Sequence, residues 1–554
     1  MSNILTPVSL WKNFDDGLDT EAEVISDKSA DGIKTQYLYF YGRDTGEGRV
    51  KIYAAFACAE SAPSDTVVLL IPDSCGTVDE ELMRFFVKQG HSVLMPDYRG
   101  EWERTNNYTV YPSNVSYANL SACGRHKDYA DEDAAKTCWY EWVAVARYCC
   151  SYLRSRGFYK IGAVGIRDGG EIGWKLAAGT QLGCLVTVCS AGWQSYRGYF
   201  KFGSAEPVFD EERYRFIGAV DSQAYAPFVK CPVLMLCSTN DERFDYDRAY
   251  DTFSRINEQF VGDSVISYSV HCNGCIDIGG TKDMFLFLDK FIRERQVFLP
   301  KPAVITVMAD EEQNLIARCE FDPQGVPEEY GVYMAEDCAD PAVREWTPAP
   351  YKGGDEQTRD FYLNVYERAA TVYAFCYARY TNGFTVWSRM AVRKISGKFR
   401  NMQKRCRVMY SSKDGTDSLS IADRSMALGG AFLTSSAVLP QIVEEGGLKG
   451  AYSPCGLMTF RSNVPRYSPD ADAVLKLDIF CEEDCEVTFC MCDMNTGTLY
   501  YAVTRAAGGI WQSVLLEDKD FKSDQGIHIS DFCGKLRFTV SCAVRFAVNN
   551  LMWL

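Results

Sequence analysis

Residues 160–174 read KIGAVGIRDGGEIGW, and this stretch decides the fold. The apolar run before Arg167 predicts a buried strand, and the residues after it predict a helix that begins almost without a connecting loop. Glycines stand on both sides of Arg167, as such a turn requires, because it strains the backbone and brings strand and helix close together. A strand that turns directly into a helix is typical of a parallel sheet covered by helices.

The same alternation of strands and helices extends outward, from about residue 35 to residue 295. Short apolar runs alternate with longer segments of helical period. The predicted strands are residues 66–71, 91–96, 160–164, 184–190, 233–237 and 265–270. The predicted helices include residues 80–88, a helix that begins at Cys138, and residues 284–292. This pattern predicts a doubly wound α/β fold with a mostly parallel sheet.

Beyond residue 297 the helical period disappears and strand alternation takes over. Pro300 and Pro302 mark a linker, and residues 372–387 (VYAFCYARYTNGFTVW) predict two strands around a Thr-Asn-Gly turn. A basic, polar segment at 393–407 precedes further short strands. The predicted domains are an α/β domain at 1–297, an immunoglobulin-like β domain at 298–398, and a β-sandwich or jelly roll at 399–554.

Composition excludes several classes of function. Lys and Arg total 58 against 74 Asp and Glu, and the resulting net charge of −16 argues against nucleic acid or an anionic membrane as partner. No basic segment followed by an apolar one opens the sequence, so we expect a soluble, cytoplasmic protein. The 23 cysteines are odd in number and evenly spread, which favours reduced thiols over a disulfide framework. The sequence leaves the oligomeric state open.

Three segments in chain order resemble the α/β-hydrolase superfamily, in particular its dienelactone hydrolase and acetyl xylan esterase type members. They are the strand-to-helix turn at 163–174, the strand and loop at 231–250, and the segment 268–276. The resemblance covers about the first 295 residues. It implies an α/β-hydrolase fold and a catalytic triad in the order nucleophile, acid, base.

The catalytic residues do not follow this resemblance. Arg167 stands at the nucleophile position, Asp241 matches the acid position, and Gly274 stands where relatives have the base histidine. An arginine is always cationic and cannot attack a carbonyl group. With two of three triad members replaced, the sequence predicts that the triad is degenerate.

A shifted pair of residues is the alternative for catalysis. Asp168 follows Arg167 directly, and His271 lies three residues before the expected base. Asp168 is one position late for an elbow nucleophile, and three residues along a strand place His271 on the opposite face. The simpler interpretation is an ion pair of Arg167 with Asp241 or Asp168 that fills the site.

Five residues are candidates for ligand binding. Ser74 lies in the loop where relatives have their oxyanion hole, although the neighbouring Asp73 would oppose an oxyanion. Arg99 and Trp102 are candidates for lining a pocket. The last domain resembles carbohydrate-binding modules in size and strand density, and its Trp511 is a candidate for stacking on a sugar.

Two groups of cysteines raise the question of a metal. Cys272 and Cys275 form a lone C-x-x-C pair, and the densest cluster is Cys481, Cys485, Cys490 and Cys492. Zinc needs convergent ligands, whereas the alternation of residues 486–492 spreads these thiols along a strand. Structural packing is the favoured interpretation, and we predict no metal and no cofactor.

These observations support three functional hypotheses. The first is a catalytically inactive α/β-hydrolase-fold protein with a binding role related to carbohydrate. The second is an active carboxylic ester hydrolase on acylated carbohydrates or small esters. The third is a structural scaffold. The expected partner is a carbohydrate or a small-molecule ester.

Overall fold

One mixed sheet of nine strands organises the first part of the chain. The computed structural model describes residues 6–554 apart from 62–63, 103–104, 132, 195–209, 423–437, 471, 495 and 533–535. The strands of the sheet are β1 (Glu23–Ala30), β2 (Ile33–Asp44), β3 (Arg49–Ala59), β4 (Thr66–Ile71), β5 (Ser92–Asp97), β6 (Lys160–Ile166), β7 (Cys184–Val188), β8 (Val233–Ser238) and β9 (Val265–Ser269). Their order across the sheet is β1-β2-β3-β5-β4-β6-β7-β8-β9. The first three strands and the β3–β5 pair are antiparallel, and the pairs from β5 to β9 are parallel.

Helices connect and cover the parallel strands. They are α1 (Pro7–Trp11), α2 (Glu80–Lys88), α3 (Cys138–Ser155), α4 (Asp168–Gly179), α5 (Glu211–Ala219), α6 (Tyr246–Ser254), α7 (Glu258–Val261) and α8 (Ile278–Phe291). Helix α2 shows why they form: the Asp79 side chain caps its first turn, and its apolar face is buried against the sheet. Among the described residues, no helix combines the length and apolar character needed to cross a membrane.

The predicted α/β architecture is confirmed, with one omission. Strand β4 and helix α2 have the predicted bounds, while helix α8 begins six residues earlier than predicted, after the capping residue Asp277. The antiparallel strands β1 to β3 were not predicted. Strand β3 reads RVKIYAAFACA, and its alanines give little β propensity, so its periodicity is weak.

Two antiparallel sheets form the middle part of the chain. Their strands are β10 (Val304–Ala309), β11 (Leu315–Glu320), β12 (Glu329–Glu336), β13 (Thr347–Pro348), β14 (Tyr351–Gly354), β15 (Thr358–Tyr362), β16 (Thr371–Arg379), β17 (Thr385–Trp387) and β18 (Ala391–Lys394). The orders are β10-β11-β15-β14 and β13-β12-β16-β17, with β18 also paired to β16. The hairpin predicted around Thr-Asn-Gly is confirmed as β16 and β17, and Gly383 takes a positive φ of 85° in its turn.

A second β-sandwich forms the last part. Its strands are β19 (Val408–Tyr410), β20 (Ser420–Ile421), β21 (Gln441–Glu445), β22 (Leu448–Tyr452), β23 (Leu457–Thr459), β24 (Leu475–Cys481), β25 (Cys485–Asp493), β26 (Leu499–Ala506), β27 (Trp511–Leu516), β28 (Leu536–Cys542) and β29 (Phe546–Trp553). One sheet has the order β21-β22-β29-β24-β27, with β19 on β29, and the other β20-β23-β28-β25-β26. Apolar residues of both sheets share one core. The prediction that all-β units follow the α/β part is confirmed.

The α/β part and the middle sandwich also share a core. Rings of Tyr246 and Tyr268 pack against Trp346, Phe375 and Trp387 of the middle sandwich, with ring centroids 5.3 to 5.9 Å apart in three of these pairs. This contact lies beside the carboxyl ends of β8 and β9. The middle sandwich therefore borders the edge of the sheet where α/β proteins carry their sites.

Candidate functional site

A strained turn joins β6 to α4. Arg167 takes φ 50° and ψ −111°, a conformation that non-glycine residues rarely adopt. A Cβ atom added at Gly165 would lie under 3.0 Å from the backbone of Gly169, and one added at Gly169 would lie under 3.0 Å from the backbone of Ile71. Both glycines are therefore required sterically. This is the backbone geometry of a nucleophile elbow, with an arginine in the place of the nucleophile.

The Arg167 side chain connects the three positions that a triad and its oxyanion hole would occupy. Its Nη2 donates a hydrogen bond of 2.7 Å to the carbonyl oxygen of Gly274, at the predicted base position. Its Nη1 lies 3.6 Å from Oδ2 of Asp73, in the loop after β4. The sequence predicted Asp241 or Asp168 as the ion-pair partner, and Asp73 takes this contact.

Electrostatics hold Arg167 in its charged form. Burial lowers the pKa of its guanidinium, but interactions with Cys189, Asp241 and Asp73 outweigh this effect and the pKa is raised. The side chain is 17% exposed. A cation therefore fills the elbow at every physiological pH.

The oxyanion side of the site is filled by the Asp73 carboxylate. Its Oδ1 accepts hydrogen bonds from the backbone N–H of Ser74 at 2.8 Å and of Asp168 at 3.5 Å. In an α/β hydrolase, the N–H after the nucleophile and an N–H of this loop bind the oxyanion. Burial and the neighbouring Asp168 raise the pKa of Asp73, while Arg167 opposes this shift. An anion of the chain itself thus occupies the place of a reaction intermediate.

Asp168 is buried below this loop and is surrounded by polar partners. Its Oδ2 accepts a hydrogen bond of 2.5 Å from the Ser74 hydroxyl group. The same oxygen lies 3.5 Å from Lys127 Nζ and 3.6 Å from Arg243 Nη2. Sequence reasoning missed both cations, because Lys127 lies outside the three segments that carry the resemblance and Arg243, although within the segment 231–250, lies far from the elbow in sequence. Ser74 is fully buried, so its hydroxyl group supports Asp168 and does not face solvent.

The acid position is present and forms part of a turn. Asp241 follows β8, is 3% exposed, and its Oδ1 accepts hydrogen bonds from the backbone N–H of Arg243 and Phe244 at 2.8 and 2.9 Å. Its charge acts on Arg167. The three predicted triad positions, at Arg167, Asp241 and Gly274, therefore meet at one site.

The loop after β9 carries the base position in a backbone shape that suits glycine. Gly274 has φ 68°, in the left-handed region. The loop is fixed by Ser238, whose hydroxyl group donates to the Cys275 carbonyl oxygen at 2.6 Å. The C-x-x-C cysteines are buried, and the hydrogen bond that the Cys272 thiol donates to Cys275, together with burial, raises the pKa of Cys272 well above its usual value. The Cys272 thiol stays protonated at neutral pH.

His271 is directed toward the middle sandwich. Its Nε2 lies 2.6 Å from the carbonyl oxygen of Trp346, so that nitrogen carries the proton and donates. Burial lowers the pKa of His271 to about 4. The alternative pair is thus directed to different neighbours: Asp168 to Ser74 and the two cations, and His271 to Trp346.

The remaining predicted binding residues are partly structural. Arg99 is 1% exposed, pairs with Asp97 at 3.3 Å, and lies over the Trp102 ring at 4.2 Å. Trp511 is half-buried, and its Nε1 donates to the Glu445 carbonyl oxygen at 2.7 Å. The structure brings Arg99 close to the Ser74 loop and leaves Trp511 in the last sandwich, so these residues do not form one site.

Strand order and elbow together define the fold of the first part as the α/β-hydrolase fold. Comparison by sequence adds no relative: no family model and no curated protein matches the chain. The resemblance predicted from the sequence is confirmed at the level of the fold.

Solved structures of similar fold have low sequence identity. An acetyl xylan esterase from Thermoanaerobacterium sp. is 15% identical with a TM-score of 0.38, over 50% of this chain and 89% of that one. An acetyl xylan esterase from Paenibacillus sp. R4 is 14% identical with a TM-score of 0.40, over 51% of this chain and 92% of that one. A protein described as a dienelactone hydrolase from Klebsiella pneumoniae is 14% identical with a TM-score of 0.30, over 44% and 94%. These similarities concern the fold and not the activity.

Proposed function

We propose that this chain binds a small polyhydroxylated ligand and does not hydrolyse esters by the serine mechanism. The observation that carries the proposal is the Arg167 side chain, which stands at the nucleophile position and contacts both Gly274 and Asp73. A guanidinium group offers no lone pair for attack on a carbonyl carbon. The Asp73 carboxylate would also repel the negative charge that develops on a tetrahedral intermediate.

The expected loss of activity is large. A hydrolase without its triad keeps roughly 10³- to 10⁴-fold catalysis over water, from the oxyanion hole and substrate binding. One oxyanion donor contributes about 10²- to 10³-fold, and here Asp73 accepts from two such donors. We therefore expect hydrolysis close to the spontaneous rate.

A pocket where the three parts of the chain meet is the proposed ligand site. Its volume is about 370 Å³, within the range of small-molecule sites. The α/β part contributes Asp277, the middle sandwich Glu329, and the last sandwich Asp417. The aromatic lining consists of Tyr268, Tyr333, Tyr377 and Trp387.

The chemistry of this lining suits a sugar. The rings of Tyr333 and Tyr377 are 5.9 Å apart at an angle of 27°, and the Tyr377 hydroxyl group donates to Glu329 at 3.2 Å. Aromatic faces cover the apolar faces of sugar rings, and carboxylates accept hydrogen bonds from sugar hydroxyl groups. This combination supports a carbohydrate ligand, or another polyhydroxylated molecule.

Ligand binding is tested on the full chain with a panel of oligosaccharides, followed by calorimetry on any that bind. We expect Tyr333→Ala to abolish binding and Trp511→Ala to leave it unchanged. Loss of binding in Trp511→Ala alone would contradict the pocket and place the ligand on the last sandwich. Absence of sugar binding throughout would favour a structural scaffold.

Hydrolysis is tested with a chromogenic acetate ester. We expect no turnover by the wild type above the spontaneous rate. Turnover that Asp168→Ala or His271→Ala abolishes would contradict the proposal. Restoration requires Arg167→Ser and Gly274→His, and also Asp73→Ala, because Asp73 accepts from the oxyanion donors. The triple variant should therefore exceed the double variant.

Ester hydrolysis by an unusual set of residues is the second candidate function. The strained backbone at Arg167, with φ 50° and ψ −111°, favours it, because such strain persists mainly at functional sites. The assay above separates this candidate from the first.

We also propose that the protein works in a reducing compartment such as the cytoplasm. The described cysteines are free thiols, and most of them are buried. Buried, protonated thiols act as small apolar side chains. Alkylation of the unreduced, denatured protein tests this, and we expect every cysteine to react.

A further inference from the structure

Three cysteines converge at one end of the last sandwich. Cys481 ends β24, Cys485 begins β25, and Cys542 ends β28. Their sulfur atoms all lie within 4.8 Å of one another, and the Cys485 and Cys542 sulfurs are 3.2 Å apart. The sequence grouped Cys481 and Cys485 with Cys490 and Cys492 instead, because Cys542 is distant in sequence.

The fold explains this convergence. Strand β24 belongs to one sheet of the sandwich, while β25 and β28 are neighbours in the other. The short turn of residues 482–484 returns the chain from β24 to β25, and in the β25–β28 pairing Val487 lies opposite Cys542. Cys481 is fully buried, and Cys485 and Cys542 are half-buried. One thiol is therefore anchored in the core, and two reach the surface.

We propose that Cys481, Cys485 and Cys542 form a thiolate site for a thiophilic metal ion, Zn²⁺ or Cu⁺, that links the two sheets. Soft thiolate ligands select these ions. Zinc–sulfur bonds of about 2.3 Å in tetrahedral geometry place the sulfurs about 3.8 Å apart. This separation exceeds the 3.2 Å between the Cys485 and Cys542 sulfurs and lies within the 4.8 Å that bounds all three separations. Each thiol releases its proton to solvent as the ion binds, and no oxidation is involved.

The surrounding charge also favours a cation. The turn between Cys481 and Cys485 consists of Glu482, Glu483 and Asp484. Three consecutive carboxylates raise the local concentration of metal cations next to the cluster. Three protein ligands leave one position of a zinc ion for water, whereas Cu⁺ accepts three thiolates alone.

The test uses the reduced, metal-free full chain and titrates Co²⁺, a coloured substitute for Zn²⁺. We expect thiolate-to-cobalt absorption with one equivalent, which Zn²⁺ displaces. Cys485→Ser and Cys542→Ser, chosen because these side chains are half-buried, should weaken binding by at least about 100-fold. Cys406→Ser, a half-buried cysteine outside the cluster, is the control and should bind as the wild type does.

Thermal melting gives a second measurement. Zn²⁺ should raise the melting temperature of the wild type by several degrees and leave that of Cys485→Ser unchanged, since only the folded state holds the site. Anaerobic competition for Cu⁺ against a chelator then decides which ion binds more tightly. Equal metal stoichiometry in wild type and both cluster variants would overturn the proposal. So would a disulfide between Cys485 and Cys542 in a protein that, once reduced, gives no cobalt absorption.

Discussion

Removal of the Arg167 charge should destabilise the α/β part strongly. The substitution Arg167→Met keeps much of the side-chain length and deletes the cation. It leaves the Gly274 carbonyl oxygen without the donor that now lies 2.7 Å away, and the Asp73 carboxylate without the guanidinium at 3.6 Å. Both groups lie in a largely buried site, where such losses are costly.

The magnitude follows from these distances. At an effective dielectric constant of about 20, unit charges 3.6 Å apart attract by about 4 to 5 kcal/mol. A hydrogen bond from a charged group adds about 1.5 to 3 kcal/mol, and the desolvation of arginine removes part of this sum. We expect Arg167→Met to lower the free energy of unfolding by about 3 to 5 kcal/mol. Asp73→Asn should cost less, because its amide oxygen still accepts from Ser74.

A double-mutant cycle measures the coupling. Urea unfolding is followed by hydrogen-exchange mass spectrometry of peptides from β6 and α4, which report the elbow region directly. The double variant should be more stable than the sum of the single effects predicts, by about 1 to 3 kcal/mol. Arg125→Met removes exposed ion pairs with Asp131 and Glu212 and should leave the stability almost unchanged. Additivity of Arg167→Met and Asp73→Asn within about 0.5 kcal/mol would refute the reasoning.

Two further perturbations test other parts of the structure. Burial lowers the pKa values of His271 and His91 to about 4, so the stability that each neutral ring contributes is present above about pH 6.5 and is lost as the pH falls toward 4. Each accounts for about 3 kcal/mol, so in His271→Asn the unfolding free energy should fall less than in the wild type as the pH drops through this window, and an unchanged pH dependence would contradict this. Gly169→Ala places a Cβ under 3.0 Å from a backbone oxygen of β4 and should lower the stability by more than about 1 kcal/mol, measured by thermal melting. The control is Gly262→Ala, where nothing lies within 4 Å of an added Cβ, and it should be nearly neutral. Equal melting temperatures of the two variants would contradict the close contact at Gly169.

Periodicity was sufficient for the parallel part of the sheet. Strand β4 consists of mostly apolar and β-branched residues, and α2 has one apolar face with a capping Asp79, so local residues determine both elements. The three antiparallel strands β1 to β3 lack such a local pattern of apolar residues. Strand β3 is held by pairing with β2 and β5 on either side, and pairing between strands leaves no local pattern.

The candidate site was predictable in its backbone and not in its contacts. Glycines around Arg167 report the tight turn directly, because a Cβ there would collide with neighbouring backbone. The partner of Arg167 depends on how a long side chain is directed and on which distant loop it meets. Asp73 and Gly274 are reached by the two terminal nitrogens of one guanidinium group, a geometry that no spacing encodes. The same applies to Lys127 and Arg243 around Asp168.

The aromatic cluster between the α/β part and the middle sandwich affects how the chain behaves as modules. A boundary near residue 298 separates two architectures, but Tyr246 and Tyr268 on one side pack with Trp346, Phe375 and Trp387 on the other. A fragment ending there would expose large aromatic surfaces to water and tend to aggregate. The α/β part is therefore not an independent folding module. Recombination or truncation that keeps its sequence intact but removes the middle sandwich also removes residues of its hydrophobic core.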